Sequence, residues 1–214
     1  MAQAHVESVN VGSPRPIERK SGEITTSAIW KEPVSGRVAV RGVNVAGDDQ
    51  ADRTVHGGPD QAVYAYAAED TEWWSAQLGR PLGPGNWGEN LTVRGLHVTG
   101  ALVGERWRIG TTLLEVSSPR IPCWKLAKKM GDPRFIKRFA AAGRPGAYLR
   151  IVEEGELAAG DPIELVERPG HDVSVGLVSR AYLFDHGEAS HILEAPALPA
   201  GWRDWAQNVL AKAS

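Results

Sequence analysis

Cysteine is the scarcest reactive residue in this sequence. The 214-residue chain contains one cysteine, Cys123, and two methionines. A single cysteine cannot form an internal disulfide, a multi-cysteine zinc site or a Cys-x-x-Cys redox motif. This cysteine usage fits a reducing compartment, and any thiol chemistry of the protein must depend on Cys123.

The sequence also lacks a long apolar run and an excess of either charge. No run approaches the roughly 18 residues of a membrane span, and the N-terminus has no signal-peptide pattern. The formal net charge is −2, which provides no global attraction to nucleic acid or anionic lipid. We therefore predict a cytoplasmic protein without a membrane or nucleic-acid partner.

Several common catalytic motifs are absent as well. The sequence contains no Walker A loop, no Gly-x-Gly-x-x-Gly after a strand, no His-Glu-x-x-His and no Gly-x-Ser-x-Gly. These absences disfavour ATP-driven, NAD-binding, zincin and α/β-hydrolase functions.

The first 170 residues have the pattern of a mainly β fold. Short β-branched and aromatic runs alternate with glycine, proline and aspartate, which is typical of a barrel or sandwich. The predicted strands cover residues 6–11, 27–31, 37–45, 62–65, 91–93, 105–109, 112–116, 147–152 and 161–165. We therefore expect one β domain over residues 1–170, interrupted by a few helices.

Helical spacing occurs within this domain and again in the C-terminal tail. The predicted helices cover residues 68–78, 123–130, 134–142, 174–185, 187–194 and 199–212. Gly79 and Gly143 are expected to end the first and third helices, and Asp132 is the expected N-cap of the third. The last three segments predict a small three-helix module over residues 171–214.

Cys123 opens a predicted helix directly after the turn Pro119-Arg120-Ile121-Pro122. A thiol at a helix N-terminus faces the positive end of the helix dipole, which favours the thiolate. Arg120 adds positive charge, or it can bind an anionic group through two hydrogen bonds. A buried structural role is common for a lone cysteine, but this turn favours a metal ligand or a nucleophile.

Two glycine-rich turns precede predicted strands. The turn His56-Gly57-Gly58-Pro59-Asp60 can bring backbone N–H groups close to a phosphate. The turn over residues 85–90 carries Glu89 and Asn90, and the Asn90 amide could hold a planar heterocycle through paired hydrogen bonds. Each turn alone is equally consistent with a simple loop.

Three further features have ordinary explanations. The acidic loop over residues 47–53 does not match the EF-hand spacing and is interpreted as solvated. Trp87 and Trp124 lie within the turns and could wall a flat ligand, whereas the other tryptophans are expected to serve packing. The lysines of residues 125–129 are interpreted as a solvated helix face.

Taken in order, the three turns resemble the MOSC domain family. The resemblance rests on residues 55–64, 88–91 and 119–123. Further similarity at residues 104–110, 143–148 and 159–161 is typical of the bacterial YiiM-type subgroup, and the tail from residue 173 resembles the three-helix extension of that subgroup. The resemblance covers nearly the whole chain.

The resemblance implies a MOSC β-barrel, of the pyruvate-kinase barrel class, that binds the molybdenum cofactor. By position, Cys123 would coordinate the metal. The positions that match the family's cofactor cleft are His56, Gly57, Gly58, Asn90 and Arg120.

The resemblance also implies a catalytic function. Proteins of this subgroup reduce N-hydroxylated compounds, such as N-hydroxylated purines, with electrons from a separate flavoprotein. The sequence has no flavin or iron–sulfur motif, which is consistent with an external donor. In addition to Cys123, two other side chains are candidate catalytic residues: Glu89 and His56 could deliver the protons that N–O cleavage consumes.

Three alternatives stay open. A non-redox carrier would hold the molybdenum cofactor or a persulfide on Cys123 without reductase turnover. Pyridoxal phosphate is a conceivable cofactor, but no lysine stands out as a Schiff-base former. A DNA-binding helix-turn-helix in the tail is disfavoured because its basic residues, Arg180, Arg203 and Lys212, are few and scattered.

Overall fold

The computed structural model describes residues 3–49 and 57–213. Within these ranges, the strands are β1 (His5–Val11), β2 (Arg15–Glu18), β3 (Ile24–Ser27), β4 (Glu32–Pro33), β5 (Val38–Arg41), β6 (Asn44–Val45), β7 (Val63–Ala67), β8 (Leu91–Arg94), β9 (Arg106–Ile109), β10 (Thr112–Pro119), β11 (Ala147–Glu153), β12 (Gly155–Leu157) and β13 (Ile163–Glu167). The α-helices are α1 (Ala68–Leu78), α2 (Trp124–Met130), α3 (Phe135–Ala142), α4 (Val175–Leu183), α5 (Ala189–Ile192) and α6 (Ala200–Ala213). Helix and strand contribute about equally, so the expectation of a mainly β fold with a few helices was wrong.

Eight of the strands form one mixed sheet, in the order β13-β9-β10-β11-β7-β8-β1-β4. Strands β7 and β8 are parallel, with Ala65 opposite Leu91, and the other neighbouring pairs are antiparallel. A parallel pair needs a crossover connection, and α1 lies in that connection. Two small sheets pair β12 with β5 and β6, and β2 with β3.

The β13 end of the large sheet meets β1, the strand next to its other end, without forming a regular ladder. His5 of β1 makes an isolated antiparallel bridge with Pro162, next to β13. The backbone N–H of Val6 also donates a hydrogen bond to the carbonyl of Asp161 at 2.9 Å. Over the described ranges, therefore, the strands form a large mixed sheet, and the closed barrel that we expected is not found.

One apolar core joins the large sheet to the C-terminal helices. Its fully buried members include Val6, Leu91, Trp107 and Leu149 from the sheet, and Val178, Ile192 and Ala206 from α4, α5 and α6. The backbone N–H of Val103 donates to the carbonyl of Val173 at 3.0 Å, and that of Val175 donates to Ala101 at 3.0 Å. The tail therefore continues the core of the sheet.

A second buried cluster, which we call the aromatic cluster, packs β7 against α1 and α3. It consists mainly of Tyr64, Tyr66, Trp74, Trp87, Leu126, Phe135 and Phe139. The indole nitrogen of Trp74 donates to the hydroxyl of Tyr66 at 3.0 Å, so the polar tips within the cluster are also paired. This cluster lies behind the site described below.

The helix ends follow the predicted glycines. Gly79 ends α1 and Gly143 ends α3, with φ values of 62° and 63° in the left-handed region that favours glycine. The prediction for the start of α3 was wrong, because its N-cap is Arg134. The Asp132 carboxylate instead accepts from the Arg134 backbone N–H at 2.9 Å. Among the described helices, none is both long and apolar enough to cross a membrane.

The largest differences from the predicted strands lie in residues 15–45. The predicted strand over 27–31 is mostly a loop, in which the carbonyl of Ile29 accepts from the Lys129 ammonium at 2.9 Å. The predicted strand over 37–45 is a hairpin of β5 and β6, which turns at Gly42 with a φ of 61°. The short strands β2 and β12 were not predicted.

Candidate functional site

A cleft opens where the loop after β3, the turn before β8 and the turn after β10 converge. Its lining residues are Ser27, Ala28, Ile29, Lys31, Asp48, Asp49, Gly57, Gln61, Tyr64, Gly88, Asn90, Arg120, Ile121, Cys123, Lys125 and Tyr148. The three turns singled out in the sequence therefore share one site. Of the predicted site residues, the cleft includes Gly57, Asn90, Arg120 and Cys123.

Cys123 is the N-cap of α2 and is half-buried in the cleft wall. Its φ and ψ of −123° and 171° are extended, as an N-cap requires. Its carbonyl accepts from the backbone N–H of Leu126 at 3.0 Å, which begins the helix. The cysteine thus stands at the N-terminus of α2 with its residue in the cleft lining.

Arg120 is 5% exposed and lies against the aromatic cluster. Its guanidinium donates to the carbonyl of Trp87 and lies 5.2 Å from the ring centre of Tyr64 and 5.9 Å from that of Phe139. Burial opposes its charge, but the interactions with Tyr64, Tyr148 and Cys123 outweigh burial and raise the pKa of Arg120 above its ordinary value. Arg120 therefore provides a permanent positive charge in the cleft.

Asn90 uses both ends of its side-chain amide within the protein. The amide oxygen accepts from the backbone N–H of Tyr64 at 3.1 Å, and the nitrogen donates to Asp48 at 2.8 Å and to the carbonyl of Asn10 at 3.4 Å. The amide is thereby fixed in one orientation. Asn90 lines the cleft and also joins β1, β7 and the loop of Asp48.

Asp48 and Lys31 form a buried ion pair, with side chains 3% and 8% exposed. The other carboxylate oxygen of Asp48 accepts from the backbone N–H of Gly12 at 2.8 Å. Burial lowers the pKa of Lys31, although Asp48 opposes this effect. The interpretation of this loop as solvated was therefore wrong for Asp48, and the predicted loop residues 50–53 lie outside the described ranges.

Glu89 is fully buried in the turn behind the cleft and does not line it. Its carboxylate accepts from the backbone N–H groups of Gly85 and Trp87, at 2.7 and 2.9 Å, and from the hydroxyl of Thr92 at 2.9 Å. Burial raises its pKa, and these hydrogen bonds oppose the increase. Glu89 thus holds the turn whose Trp87 carbonyl binds Arg120.

The lysines of α2 are not the solvated face that we predicted. Lys125 is buried and lines the cleft. The Lys129 ammonium donates to the carbonyls of Gly85 and Ile29, at 2.7 and 2.9 Å. Burial lowers the pKa of Lys129 to about 8, against the favourable charge of Glu89. Only Lys128 is exposed as expected.

The glycine turn before β7 reaches the cleft through Gly57, whose N–H donates to the side chain of Gln61 at 3.1 Å. Gly57 and Gly58 have φ values of 112° and 84°, which other residues rarely adopt. Gly58 follows Gly57 but does not line the cleft. The predicted site residue His56 lies outside the described residues.

Two tyrosines of the cleft were missed as site residues. Tyr64 and Tyr148 pair with ring centres 5.1 Å apart, and burial raises the pKa of both. The Tyr64 hydroxyl donates to the carbonyl of Pro145 at 2.7 Å. Both tyrosines lie in segments that carry the family resemblance, and that position is the sequence signal that could have identified them as site residues.

The two tryptophans proposed as ligand walls are placed elsewhere. Trp87 is fully buried in the aromatic cluster, where its indole nitrogen donates to the Thr71 hydroxyl at 3.0 Å. Trp124 lines a separate groove on the other side of α2. Neither tryptophan lines the cleft with Cys123.

The fold and the cleft together indicate the class of protein. A mixed sheet carries a cleft in which one thiol lies among cationic, amide and tyrosine side chains. The MOSC domain family matches residues 52–164, which is more than half of the sequence. The chain belongs to the MOSC domain family.

Individual relatives extend this likeness over nearly the whole chain. YflK of Bacillus subtilis is 38% identical, over 92% of this chain and 90% of its own. A crystal structure of YiiM from Geobacillus stearothermophilus is 34% identical, with a TM-score of 0.81, over 97% of this chain and 99% of its own. A protein of Gibberella moniliformis named Reductase is 35% identical over 83% of this chain, which corresponds to only 32% of its own length.

Proposed function

We propose that this protein is a molybdenum-cofactor-dependent reductase of N-hydroxylated compounds, such as N-hydroxylated purines. The observation that carries the proposal is the single cysteine at a helix N-terminus, in a cleft that also contains the buried guanidinium of Arg120. Membership of the MOSC domain family and the likeness to a protein named Reductase support it.

The chemistry of the cleft fits this cofactor. A thiolate is a soft ligand for a redox-active transition metal. Arg120 and Lys125 are cationic groups of the lining that suit a phosphate, and Gly57 brings the backbone of a glycine turn to the same cleft. When bound, the cofactor would supply two-electron redox chemistry at its metal.

The residues that line the cleft would then have distinct roles. Cys123 would hold the metal, while Arg120, Lys125 and Gly57 would hold the phosphate, and Gly58 would shape the turn that brings Gly57 to the cleft. Asn90 would border the pterin and keep Asp48 in place through its own hydrogen bond. Reduction of an N-hydroxylated amine breaks the N–O bond, consumes two electrons and two protons, and releases the amine and water.

The source of the two protons is a separate hypothesis. We keep His56 and Glu89 as the proposed proton donors; because Glu89 lies behind the cleft wall, its proton would have to reach the substrate through an intervening group. The test is the pH profile of turnover in His56→Gln and Glu89→Gln. A profile unchanged from that of the wild type in both variants would contradict the hypothesis.

The central experiment measures molybdenum and pterin in protein purified from cells that make the cofactor. We expect about one molybdenum per wild-type chain and almost none in Cys123→Ala. The matched control is Ser21→Ala, which removes an exposed polar atom outside the cleft and should retain the metal. Full molybdenum content in Cys123→Ala would overturn the assignment of the ligand.

Turnover distinguishes the reductase from the carrier alternative. Loaded wild-type protein should reduce N-hydroxyadenine when a viologen dye supplies electrons, and Cys123→Ala should not. Bound cofactor without turnover would instead favour a carrier of cofactor or sulfur. We further propose that a separate flavoprotein supplies the electrons in the cell, as the family resemblance implies; the sequence has no flavin or iron–sulfur motif of its own.

A further inference from the structure

The positive charge of this chain is concentrated around α2 and α3. Residues 120–144 contain eight lysines and arginines and one acidic residue, Asp132, although the whole chain has a net charge of −2. The rest of the molecule is therefore net negative. Such an asymmetric charge attracts a partner of opposite sign to one side of the protein.

A groove of about 770 Å³ lies on this side, between the β2–β3 hairpin and the two helices. Its lining residues are Glu18, Arg19, Lys20, Ser21, Trp124, Ala127, Lys128, Gly131, Pro133 and Ile136. Its apolar part, the floor, has Trp124 and Ile136 as the largest side chains, and its charged part, the rim, consists of three cations and one carboxylate, Glu18. The Arg19 guanidinium lies 5.3 Å from the ring centre of Trp124. An apolar floor with a charged rim is the usual composition of a protein interface.

The cations of the rim are largely uncompensated. In the described part of the chain, Lys20 and Lys128 of the groove are exposed and form no ion pair, and the same holds for Lys137, which lies outside the groove lining on the neighbouring helix α3. Arg134 and Arg138, which line an adjacent pocket with Lys137, share one carboxylate, that of Asp132, at 3.8 Å each. The rim therefore presents net positive charge to the solvent.

Helix α2 separates this groove from the cleft. Trp124, Ala127 and Lys128 line the groove, whereas Cys123 and Lys125 line the cleft. The Trp124 ring on the groove floor belongs to the residue bonded directly to Cys123, so their Cα atoms are about 3.8 Å apart. A redox group bound over Trp124 would be one residue away from the thiol.

We propose that this groove and its rim are the docking surface for a protein that presents acidic residues around a reduced flavin. The proposal rests on the proposed reductase function and names where its electron donor binds. Electron-transfer complexes bury a small interface area, and they depend on complementary charge for fast association. The donor's flavin would pass two electrons to the N-hydroxylated substrate through the site at Cys123, and the two protons complete the amine and water.

The test uses flavodoxin, a small acidic flavin protein, as the probe. Binding of flavodoxin to the full chain is measured at 50 mM and 300 mM salt. We expect Lys128→Glu/Lys137→Glu to weaken binding at least about tenfold at low salt, and high salt to weaken wild-type binding similarly. The matched control, Arg41→Glu/Lys212→Glu, reverses two exposed charges elsewhere and should change binding less than twofold.

Turnover separates failure of this proposal from failure of the reductase function. With reduced flavodoxin as donor, Lys128→Glu/Lys137→Glu should lose about tenfold in kcat/KM, whereas with reduced benzyl viologen it should match the wild type. Lys20→Glu/Lys137→Glu leaves α2 intact and should behave alike if the first variant folds poorly. No turnover with either donor would refute the reductase, while the binding measurement would still decide the docking surface.

Three results would overturn the docking proposal. The first is viologen-driven turnover without flavodoxin-driven turnover in the wild type. The second is equal flavodoxin binding by the charge-reversal variants and the control. The third is tighter wild-type binding to double-stranded DNA or to anionic vesicles than to flavodoxin at the same salt.

Discussion

Asp48 and Lys31 show how strongly the cleft depends on a single buried contact. Removing one partner of a buried ion pair leaves the other charge without compensation, which usually costs about 3–5 kcal/mol. The carboxylate also accepts from Gly12 and Asn90. Burial lowers the pKa of Lys31, so without Asp48 this lysine can lose its proton and avoid part of the cost of an unpaired buried charge. We therefore expect Asp48→Ala to lower the unfolding free energy by about 3 kcal/mol, at the low end of that range.

Urea unfolding at pH 7 measures this prediction. The control is Glu23→Ala, which breaks the exposed Arg19–Glu23 pair, with side chains 45% and 60% exposed. That variant should change stability by less than about 0.5 kcal/mol. Equal losses in the two variants would contradict a special role for the buried pair.

Lys129 gives a pH-dependent prediction. Its pKa is lowered to about 8 in the folded protein, against an ordinary value near 10.4 in the unfolded chain. Between these values the unfolded state holds more protons than the folded state, so stability rises with pH. The stability from Lys129 is present above pH 10.4 and is lost as the pH falls through about 8.

The comparison with Lys129→Arg isolates this contribution, because arginine keeps its charge throughout this range. We expect the unfolding free energy of the wild type, relative to that of the variant, to rise between pH 8 and 10. Denaturant unfolding at several pH values measures the difference. A constant difference would show that Lys129 has an ordinary pKa.

The residues of the cleft were predicted only where a local pattern marked them. Cys123, Arg120 and Gly57 belong to short motifs in which proline, glycine and a helix start are visible in the sequence. Lys31 and Asp48 are 17 residues apart and belong to no motif. Their pairing depends on how two loops pack together, and no local spacing encodes that.

At the scale of elements, the helices were predicted more accurately than the strands before residue 46. Residues 68–78 have helical spacing and are followed by Gly79, which adopts a left-handed φ, so a local signal marks the C-terminal end of the helix. Residues 27–31 include Ile29 and Trp30, which favour strands, but the Ile29 carbonyl binds Lys129 and the segment forms a loop of the cleft. Tertiary contacts here outweigh strand propensity.

The link between α5 and the chain before α4 yields a prediction for elements. One ring nitrogen of His191 lies 2.7 Å from the Asp172 carboxylate and the other 3.1 Å from that of Glu188. Hydrogen bonds to Asp172 and then to Glu188 raise the pKa of His191. The resulting stability is present below pH 6.5 and is lost as the pH rises through the raised pKa.

We therefore expect His191→Gln to lower Tm more at pH 6 than at pH 8.5, as measured by thermal unfolding. His186 is the matched control, because its ring is exposed and contacts the carbonyl of Tyr182 at 3.3 Å, and no carboxylate of the described residues pairs with it. His186→Gln should lower Tm equally at the two pH values. A loss in His191→Gln that does not depend on pH would contradict the charged link.

At the scale of the whole molecule, the apolar core spans the predicted boundary at residue 170. Val173 and Val175 are hydrogen-bonded to Val103 and Ala101, and Ile192 of α5 is fully buried in the same cluster as the sheet. The division into residues 1–170 and 171–214 stays a prediction, based on the change in residue pattern along the sequence. A shared core favours one cooperative unfolding transition for both parts.

Coincident probes test this cooperativity. We expect far-UV circular dichroism and tryptophan fluorescence to report a single urea midpoint. Ile192→Ala should lower the unfolding free energy by about 2–4 kcal/mol and shift both probes together, although the substitution lies in the tail. Leu165→Ala, at an edge-strand side chain that is 45% exposed, is the control and should have a much smaller effect. The contrary result would be two separate transitions, of which Ile192→Ala shifts only the less stable one. That result would show that the tail folds as an independent domain after residue 170.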